Sequence, residues 1–267
     1  MSNTFEPVQA AGNAFSRVVG REVFHVRITA PRACFTRVEH RVERFSSVVG
    51  SAGAWEGILS QVMGHRGVRY EIERVALLFR PRWLTMTSNE QKEFDPCVPV
   101  DGKHRTLRTT VKLAGEPRTV VVTDFFGNKV KRHDAGVDYL LSFRVSAPSP
   151  KELGILTNML LRRLKNGGHY RQAYLGIRDC PNVNIERVKS FADLDYPEGV
   201  PLVEHEDGLR AVDYSADLGI SFYGEDYDDQ PAKPYYFAPL SVVRGVVRYP
   251  TWQEVRSLGI RRRGGRC

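Results

Sequence analysis

Long apolar runs and a targeting segment are absent from this sequence of 267 residues. Its apolar stretches fall far short of the roughly 20 residues that a membrane-spanning helix needs, which excludes a membrane-spanning class. The opening MSNTFEPVQAAGNAF contains no basic segment followed by a long apolar one, so we predict no secretory signal. We therefore expect a cytoplasmic protein.

Cysteine and clustered carboxylates are scarce. The chain contains four cysteines, none of which belongs to a C-x-x-C motif or lies beside a pair of histidines. This spacing indicates neither a zinc site nor a disulfide framework. A metal-dependent nuclease would need clustered carboxylates. The densest acidic run consists of Glu225, Asp226, Asp228 and Asp229, and it has no partner histidines, which argues against this class of enzyme. We expect no metal ion and no other cofactor.

Basic residues, by contrast, are in excess. The chain has 39 Lys and Arg against 31 Asp and Glu, which gives a net charge of +8 and a pI near 9.4. Its 42% hydrophobic and 26% charged residues are typical of a globular protein. Because a basic surface attracts polyanions, the charge favours a nucleic-acid partner, and its clustering favours one more than its total does.

The most informative stretch of the sequence lies between residues 151 and 187. An apolar stripe at helical spacing predicts an amphipathic helix, and its members are Leu153, Leu156, Leu160 and Leu164. Gly167 and Gly168 are predicted to end that helix in the left-handed conformation. The residues that follow the glycine pair supply hydrogen-bond donors and aromatic ring faces, which suit binding of an RNA strand. Basic residues in a last helical turn are also favoured by the helix dipole alone, so a purely structural interpretation stays open.

Candidate RNA-binding residues lie in separate basic clusters and in the glycine-rich loop. They are Arg37, Arg41, Arg44, Lys103, Arg105, Arg162, Arg163, Lys165, Gly167, Gly168, His169, Tyr170, Arg171 and Arg178. Two short charged turns, around His65 and around His133, lack metal-ligand spacing, and we interpret them as surface loops.

The hydrophobic periodicity predicts an α+β fold. Strands are expected at 24–29, 68–79, 137–146 and 182–188, with helices at 54–64 and from 151 to the glycine pair. This β-α-β-β-α-β order is that of ferredoxin-like and RNA-recognition-type domains, although unrelated proteins share it. We expect an inserted hairpin, formed by strands Thr106 to Leu113 and Arg118 to Asp124, and a small C-terminal antiparallel β extension.

These elements suggest the following organisation. We predict a loose N-terminal arm over 1–20, a ferredoxin-like RNA-binding domain over 21–190 with an insertion at about 89–134, a β extension over 191–258 and a basic tail over 259–267. Residues 31–53 are predicted to form a long surface loop, and Pro81 to interrupt the second strand.

Five segments, in order, resemble the CRISPR-associated Cas-five family, subtype I-C. RRLKNGGHYRQAYLGIRDC is similar to the family's glycine-rich loop and YLG-x-R-[ED] signature. The others are ACFTRVEHRVER, AWEGILSQV, VRYEIERVALLFRPRWLTMTSNE and DLGISFYGEDYDD. The resemblance covers most of the chain.

The resemblance implies a function in antiviral defence. Family members bind the repeat-derived 5′ handle of CRISPR RNA within the Cascade surveillance complex. The implied partners are CRISPR RNA, the large subunit and the repeated backbone subunit of Cascade and, indirectly, target DNA.

Subtype members usually also cut the precursor RNA, without metal, by attack of a 2′-hydroxyl on the neighbouring phosphate. The resemblance places Met63, Ile155 and Leu156 where the family commonly has Tyr, Lys and His. None of the three transfers a proton, so we expect RNA binding without the usual ribonuclease activity. Candidate substitutes with suitable atoms are His169, Tyr170, Lys165, Lys103 and His104.

Two alternatives remain open at this point. One is a metal-independent endoribonuclease of precursor CRISPR RNA with a relocated site. The other is a stand-alone RNA-binding module outside CRISPR, which would explain the charge and the order of elements but not the five ordered segments.

Overall fold

The structure is a computed structural model and describes residues 17–36, 44–65, 67–91, 105–123, 129–134, 136–226 and 234–262. Most of the predicted N-terminal arm and of the predicted tail lies outside these residues. So do four candidate RNA-binding or catalytic positions, Arg37, Arg41, Lys103 and His104.

The first half of the chain is mostly strand. Its elements are β1 (Val18–Val19), β2 (Phe24–Ala30), β3 (Phe35–Thr36), β4 (Arg44–Ser47), α1 (Ala52–Val62), β5 (Arg69–Leu77), β6 (Pro81–Gln91), β7 (Arg105–Gly115), β8 (Arg118–Thr123) and β9 (Lys129–Asp134).

The second half holds the other two helices of the described chain. Its elements are β10 (Val137–Ala147), α2 (Pro150–Asn166), β11 (Asn184–Val188), β12 (Leu202–Glu204), β13 (Arg210–Val212), β14 (Ala216–Glu225), β15 (Tyr235–Val243), β16 (Val246–Arg248), α3 (Trp252–Leu258) and β17 (Arg261–Arg262). The fold is mixed α+β, as expected. No helix among the described ranges combines the length and apolarity that a bilayer crossing requires.

The central sheet runs in the order β11-β2-β10-β5-β16-β15-β14, and every neighbouring pair is antiparallel. Strand β2 alternates as predicted, since Val26 and Ile28 are buried while His25 and Arg27 are only partly so. Strand β10 is buried along nearly its whole length because elements cover both of its faces.

The two long helices lie on one face of this sheet. Helix α1 packs on β5, and α2 packs on β10 and β11. On the other face, the segment after β11 covers a smaller apolar cluster that includes Leu78, Leu140 and Leu209, with Phe191 and Tyr196 packed against it. The sheet is therefore covered on both sides near its centre.

The main core joins the two ends of the described chain. The buried Trp55 of α1 donates its indole N–H to the Tyr249 hydroxyl at 3.0 Å, across 194 residues of sequence. Tyr249 in turn donates to the Gly50 carbonyl at 2.6 Å, and Tyr139 donates to the Val48 carbonyl at 2.7 Å. These bonds satisfy polar groups that burial would otherwise leave without partners.

The strand pairing around the insertion differs from the prediction. Strand β7 pairs with β6, not with β8, and β8 pairs with β9. Pro81 begins β6 instead of merely interrupting a strand, a position that proline tolerates because its missing N–H is not needed there. A four-stranded second sheet results, in the order β3-β4-β7-β6, so the stretch 31–53 also contains strands.

The C-terminal part differs in two further respects. Within the predicted β extension, where we expected a continuous strand over 242–247, the chain instead makes a hairpin turn, because Arg244 and Gly245 both have positive φ and separate β15 from β16. Helix α3 was not predicted. It begins at a capping box in which the Thr251 hydroxyl accepts from the Glu254 amide at 3.3 Å. Strand β16 pairs with β5, which continues the central sheet.

Candidate nucleic-acid interface

Helix α2 ends as the sequence predicts. Its four periodic leucines are buried, and Gly167 at its C-terminal cap has a φ of +64°. The Gly168 amide donates to the Arg163 carbonyl at 2.9 Å, which satisfies one of the carbonyls that a helix end leaves without a partner. The glycine pair therefore turns the chain sharply away from the basic last turn.

The loop that follows is tied to the end of α1. The amides of Tyr170 and Arg171 both donate to the Gln61 carbonyl, at 2.9 and 3.0 Å. The Arg163 guanidinium donates to the Val62 carbonyl at 2.9 Å, and the Tyr174 amide donates to the Gln61 side-chain oxygen at 3.2 Å. The loop thus supplies donors for the final carbonyls of α1, which fixes the two helix ends relative to each other.

Tyr170 is positioned by its neighbours while staying open to solvent. Its ring lies against the Cα of Gly64, where a side chain would collide with it. The Arg171 guanidinium lies 5.3 Å from the centre of the same ring, a cation–π distance. With 54% of its surface exposed, Tyr170 presents a ring face and a hydroxyl to a partner.

The position after Tyr174 and Leu175 requires a glycine, Gly176. Its φ is +85°, and its Cα lies directly against the Cys34 carbonyl oxygen, so a Cβ has no room. The Cys34 amide donates to the Leu175 carbonyl at 3.0 Å. This close approach fastens the loop to the segment that leads into β3.

The loop and the end of α2 form a strongly basic surface. From Arg162 to Arg178 the sequence contains five Lys or Arg residues and no Asp or Glu. Exposed members of this segment are Arg162, Lys165, His169, Tyr170, Arg171 and Arg178. Because none of its charges is neutralised within the segment, this surface is suited to a polyanion.

The three positions that the resemblance assigns to catalysis carry apolar side chains, and two of these side chains are buried. Met63 is buried beside the end of α1, and Leu156 is buried in the core. Ile155 is exposed on α2. None of these side chains carries a proton to transfer.

His65 is a functional candidate that the sequence interpretation assigned to a surface loop. It follows Gly64, against which Tyr170 lies, and its Nδ1 accepts from the Gly67 amide at 3.1 Å. A Cβ at Gly67 would lie 3.3 Å from the His65 ring and 3.8 Å from a methyl group of Leu156. The imidazole therefore lies close to one of the positions that the family commonly fills with a catalytic residue.

A second tyrosine lies beneath the site but is inaccessible. Tyr70 is buried, and its hydroxyl has no hydrogen-bond partner in the described part of the chain. Burial raises its pKa, the charge of Glu56 raises it further, and Arg163 partly offsets this. Burial also raises the pKa of Glu56, against the opposing effect of its ion pair with Arg69.

The remaining sequence candidates lie elsewhere. Arg44 is half-buried in β4, and Arg105 begins β7. Asp226, from the acidic run, is buried and accepts two hydrogen bonds from Arg256, at 2.8 and 3.0 Å, so it holds α3 in place. Cys34 and Cys180 are buried thiols, and burial raises the pKa of Cys180 to about 12.

Comparison with known proteins gives two curated relatives with one name. A protein of Thermus thermophilus, called CRISPR pre-crRNA endoribonuclease Cas5d, is 28% identical over 156 residues. That alignment spans 58% of this chain and 60% of the relative. A protein of the same name from Mannheimia succiniciproducens is 25% identical over 236 residues, 84% of this chain and 94% of the relative. No protein-family model matches the chain.

Solved structures share the fold. A crystal structure described as a CRISPR-associated protein aligns with a TM-score of 0.53 at 17% identity, over 91% of this chain and 97% of that one. A functionally uncharacterized protein of Streptococcus mutans aligns with a TM-score of 0.52 at 18% identity, over 88% and 95% of the two chains. The chain is therefore similar to two proteins named Cas5d.

Proposed function

We propose that this protein is a cytoplasmic subunit of a type I CRISPR surveillance complex, of subtype I-C, and that it binds the repeat-derived 5′ handle of CRISPR RNA. The observation that carries the proposal is the basic loop between Arg162 and Arg178, which is held rigidly on the end of α1. Both curated relatives are named for action on precursor CRISPR RNA, which supports RNA as the polyanion.

The way in which the loop is held favours binding of a strand with defined shape. Four donors, three loop amides and the Arg163 guanidinium, contact carbonyls or a side chain of the last turn of α1. The backbone is therefore ordered before RNA arrives, so binding costs less conformational entropy. Arg162, Lys165 and Arg178 supply charge for phosphates, and Tyr170 supplies a ring for a base.

We also infer that β2, α1, β5, β10, α2 and β11 form a ferredoxin-like core. Across the sheet these strands lie in the order β11-β2-β10-β5, which corresponds to the fourth, first, third and second strands in the sequence. All neighbouring pairs are antiparallel. That arrangement agrees with a split β-α-β unit. The residues from 191 to 258 then act as an extension that lengthens this sheet.

Protein partners follow from the same proposal. We infer contacts with a large subunit and with a repeated backbone subunit of the complex, and with target DNA only through the complex. The test is co-expression with the neighbouring genes. Purification of this chain alone, free of partner proteins, would contradict a subunit role.

A second candidate function is supported by His65. An imidazole and the Tyr170 hydroxyl on adjoining loops are groups that can act as general base and acid in attack by a 2′-hydroxyl. Metal-independent cleavage of precursor CRISPR RNA from this relocated pair is therefore the alternative. Handle binding without cleavage remains the main proposal, because Met63 and Leu156 are buried and apolar.

Binding of the purified chain to its cognate repeat RNA tests the main proposal. We expect tighter binding to this RNA than to a scrambled RNA at moderate salt, and a log–log salt slope of about 0.7 per neutralised phosphate. The double variant Arg162→Gln, Lys165→Gln is expected to weaken binding and to lower that slope by about 1.4 if both residues contact phosphates. The exposed Arg248, which lies in β16 outside the loop, provides the control variant Arg248→Gln. Equal affinity for the two RNAs would count against handle recognition.

A further inference from the structure

A buried lysine in β7 differs from the other buried charges. The charged residues that are buried in the described chain are Lys112, Asp138 and Asp226. Arg27 donates to Asp138 at 2.7 and 3.0 Å, and Arg256 donates to Asp226 at 2.8 and 3.0 Å. Both buried carboxylates are therefore tightly paired. Lys112, which is 5% exposed, has no such close partner among the described residues.

The ion pair of Lys112 is long. Its ammonium lies 4.0 Å from the Asp179 carboxylate, beyond hydrogen-bond distance, and no described residue accepts a hydrogen bond from it. The Asp179 side chain is 43% exposed, so solvent weakens the attraction between the two charges. Because a buried ammonium without acceptors is costly, this position needs an acceptor that the described part of the chain does not supply.

The segment before β3 runs along β7 beside this lysine. An isolated antiparallel bridge pairs Ala33 with Leu113, so Cys34 lies opposite Lys112. Side chains at opposite and at alternate positions share a face of a sheet, which places those of Arg32 and Cys34 on the side of Lys112. Lys112 therefore lies beneath the glycine-rich loop, whose bond to the Cys34 amide fastens it to this segment.

The loop ends above Lys112 in a tight turn. The Cys180 amide donates to the Ile177 carbonyl at 3.0 Å, which places Arg178 and Asp179 at the two central positions of a β-turn. Both of these residues are exposed. Because Asp179 faces solvent and is the residue nearest to the buried ammonium, a group that displaces its carboxylate reaches Lys112 from the surface that carries Arg178.

The charges around this turn favour an anion. Arg32 is half-buried, and its guanidinium donates to a methionine sulfur at 2.8 Å, which does not neutralise it. Burial raises the pKa of Cys180 to about 12, against the opposing effects of the Lys112 and Arg32 charges, so both cations lie near this thiol. Together with Arg178 they place three cations around one carboxylate, that of Asp179.

We propose that Lys112 binds a phosphate of the RNA backbone, together with the neighbouring Arg178. The inference rests on the proposed function, since it takes RNA as the polyanion on the loop. The phosphate oxygens accept hydrogen bonds from the buried ammonium, and Asp179 turns to solvent because phosphate and carboxylate repel each other. Such a contact holds the strand in register on the loop without reading its sequence.

Two charge changes with opposite expected effects test this site. Lys112→Met keeps an apolar stem of similar length and removes the ammonium, and Asp179→Asn removes the competing carboxylate. With a short abasic oligoribonucleotide at low salt, we expect Lys112→Met to weaken binding about 10- to 150-fold and to lower the log–log salt slope by about 0.7. We expect Asp179→Asn to strengthen binding about 1.5- to 5-fold.

A surface ion pair of similar length provides the matched control. Arg80 and Glu116 lie 3.9 Å apart, and both side chains are 54% exposed. Arg80→Met and Glu116→Gln should leave the affinity for the abasic probe nearly unchanged. If the Lys112 pair served only to hold the fold, Lys112→Met and Asp179→Asn would both lower the free energy of unfolding, and neither would strengthen RNA binding. That result would overturn the inference.

The outcomes separate this site from handle recognition. Weaker binding by Lys112→Met, together with equal binding of repeat and scrambled RNA, would overturn the handle and keep the phosphate site. Preference for repeat RNA with unchanged affinity and salt slope in Lys112→Met would overturn the site and keep the handle. Binding of inorganic phosphate that depends on Lys112, with RNA binding independent of it, would assign the site to a free anion and overturn the inference. Asp179→Asn alters an exposed side chain, so it decides the question even if Lys112→Met fails to fold.

Discussion

The ring of Tyr170 packs against the backbone of Gly64, and this contact joins the glycine-rich loop to the end of α1. A methyl group at position 64 would displace the ring, because the space next to the Gly64 Cα is already filled. The position of the loop on the helix therefore depends on a glycine that lies more than a hundred residues earlier in the chain.

We expect Gly64→Ala to destabilise the protein by about 1–3 kcal/mol, the usual cost of overpacking, and to weaken RNA binding. Denaturant unfolding and RNA titration measure the two effects. The matched control is Gly57→Ala, since Gly57 is also in the α1 region but has open space around it. That change should stabilise the helix by about 0.5–1 kcal/mol, and a comparable gain at Gly64 would contradict the packing argument.

A second prediction concerns substitution of Gly176, which should lower the free energy of unfolding for two separate reasons. Gly176→Ala combines a positive φ with a clash against the Cys34 carbonyl, so we expect a loss of about 2–5 kcal/mol in unfolding free energy. Gly199 has a similar φ, +77°, but no neighbouring atom in contact. Gly199→Ala should therefore cost only the backbone part, about 1–2 kcal/mol. Similar losses at both sites would show that the carbonyl contact is unimportant.

A third prediction addresses catalysis. The purified chain in chelator should cut its precursor RNA far more slowly than typical Cas5d proteins, because acid–base groups contribute roughly 10²–10⁴-fold and Met63, Ile155 and Leu156 supply none. A single-turnover cleavage assay measures this. Rapid cutting at one site in the repeat would instead favour the alternative function. His65→Ala, His169→Ala and Tyr170→Phe would then show which groups transfer protons.

A fourth prediction concerns pH and His25, which lies under Phe191 on the helix-free face of the sheet. Burial lowers its pKa from the usual 6.5, and the charge of Arg74 lowers it further, against a smaller opposing effect of Asp207. Below about pH 6.5 the unfolded chain consequently binds more protons than the folded one, so stability falls as the pH falls through this value.

Urea unfolding of the protein at pH 7.5 and at pH 5.5 measures this dependence. His25→Gln keeps a polar side chain that does not titrate, so the variant should lose less stability between the two pH values than the unaltered protein. His205, a half-buried histidine whose ring hydrogen-bonds with the Arg244 carbonyl, provides the comparison variant His205→Gln. An unchanged pH dependence in His25→Gln would refute the role of His25.

Local patterns predicted the central elements well. Alternation around Val26 gave β2, and the leucine stripe with Gly167 gave α2 and its end, because those signals depend on residues only a few positions apart. The pairing of β7 with β6 could not be read in this way, since strand partners are chosen by packing across the fold. Helix α3 was missed because it is short, although Thr251 and Glu254 contain its capping signal.

The site was predictable in composition but not in geometry. Basic residues near Gly167 indicated a basic loop after α2, and its contact with RNA stays a prediction. The sequence contained no sign that Tyr170 would meet Gly64, or that His65 would lie near Leu156. Lys112 and Asp179 are far apart along the chain, and only the contact between the loop and the second sheet brings their charges together.

The pairing of β5 with β16 has a consequence for synthesis of the chain. Strand β5 lies in the interior of the sheet, yet its partner on one side, together with Tyr249, is translated more than 160 residues later. A nascent chain on the ribosome therefore exposes a long strand edge and an unpaired Trp55 until β16 and Tyr249 have been synthesised. Slow translation should consequently prolong the period in which this chain depends on chaperones.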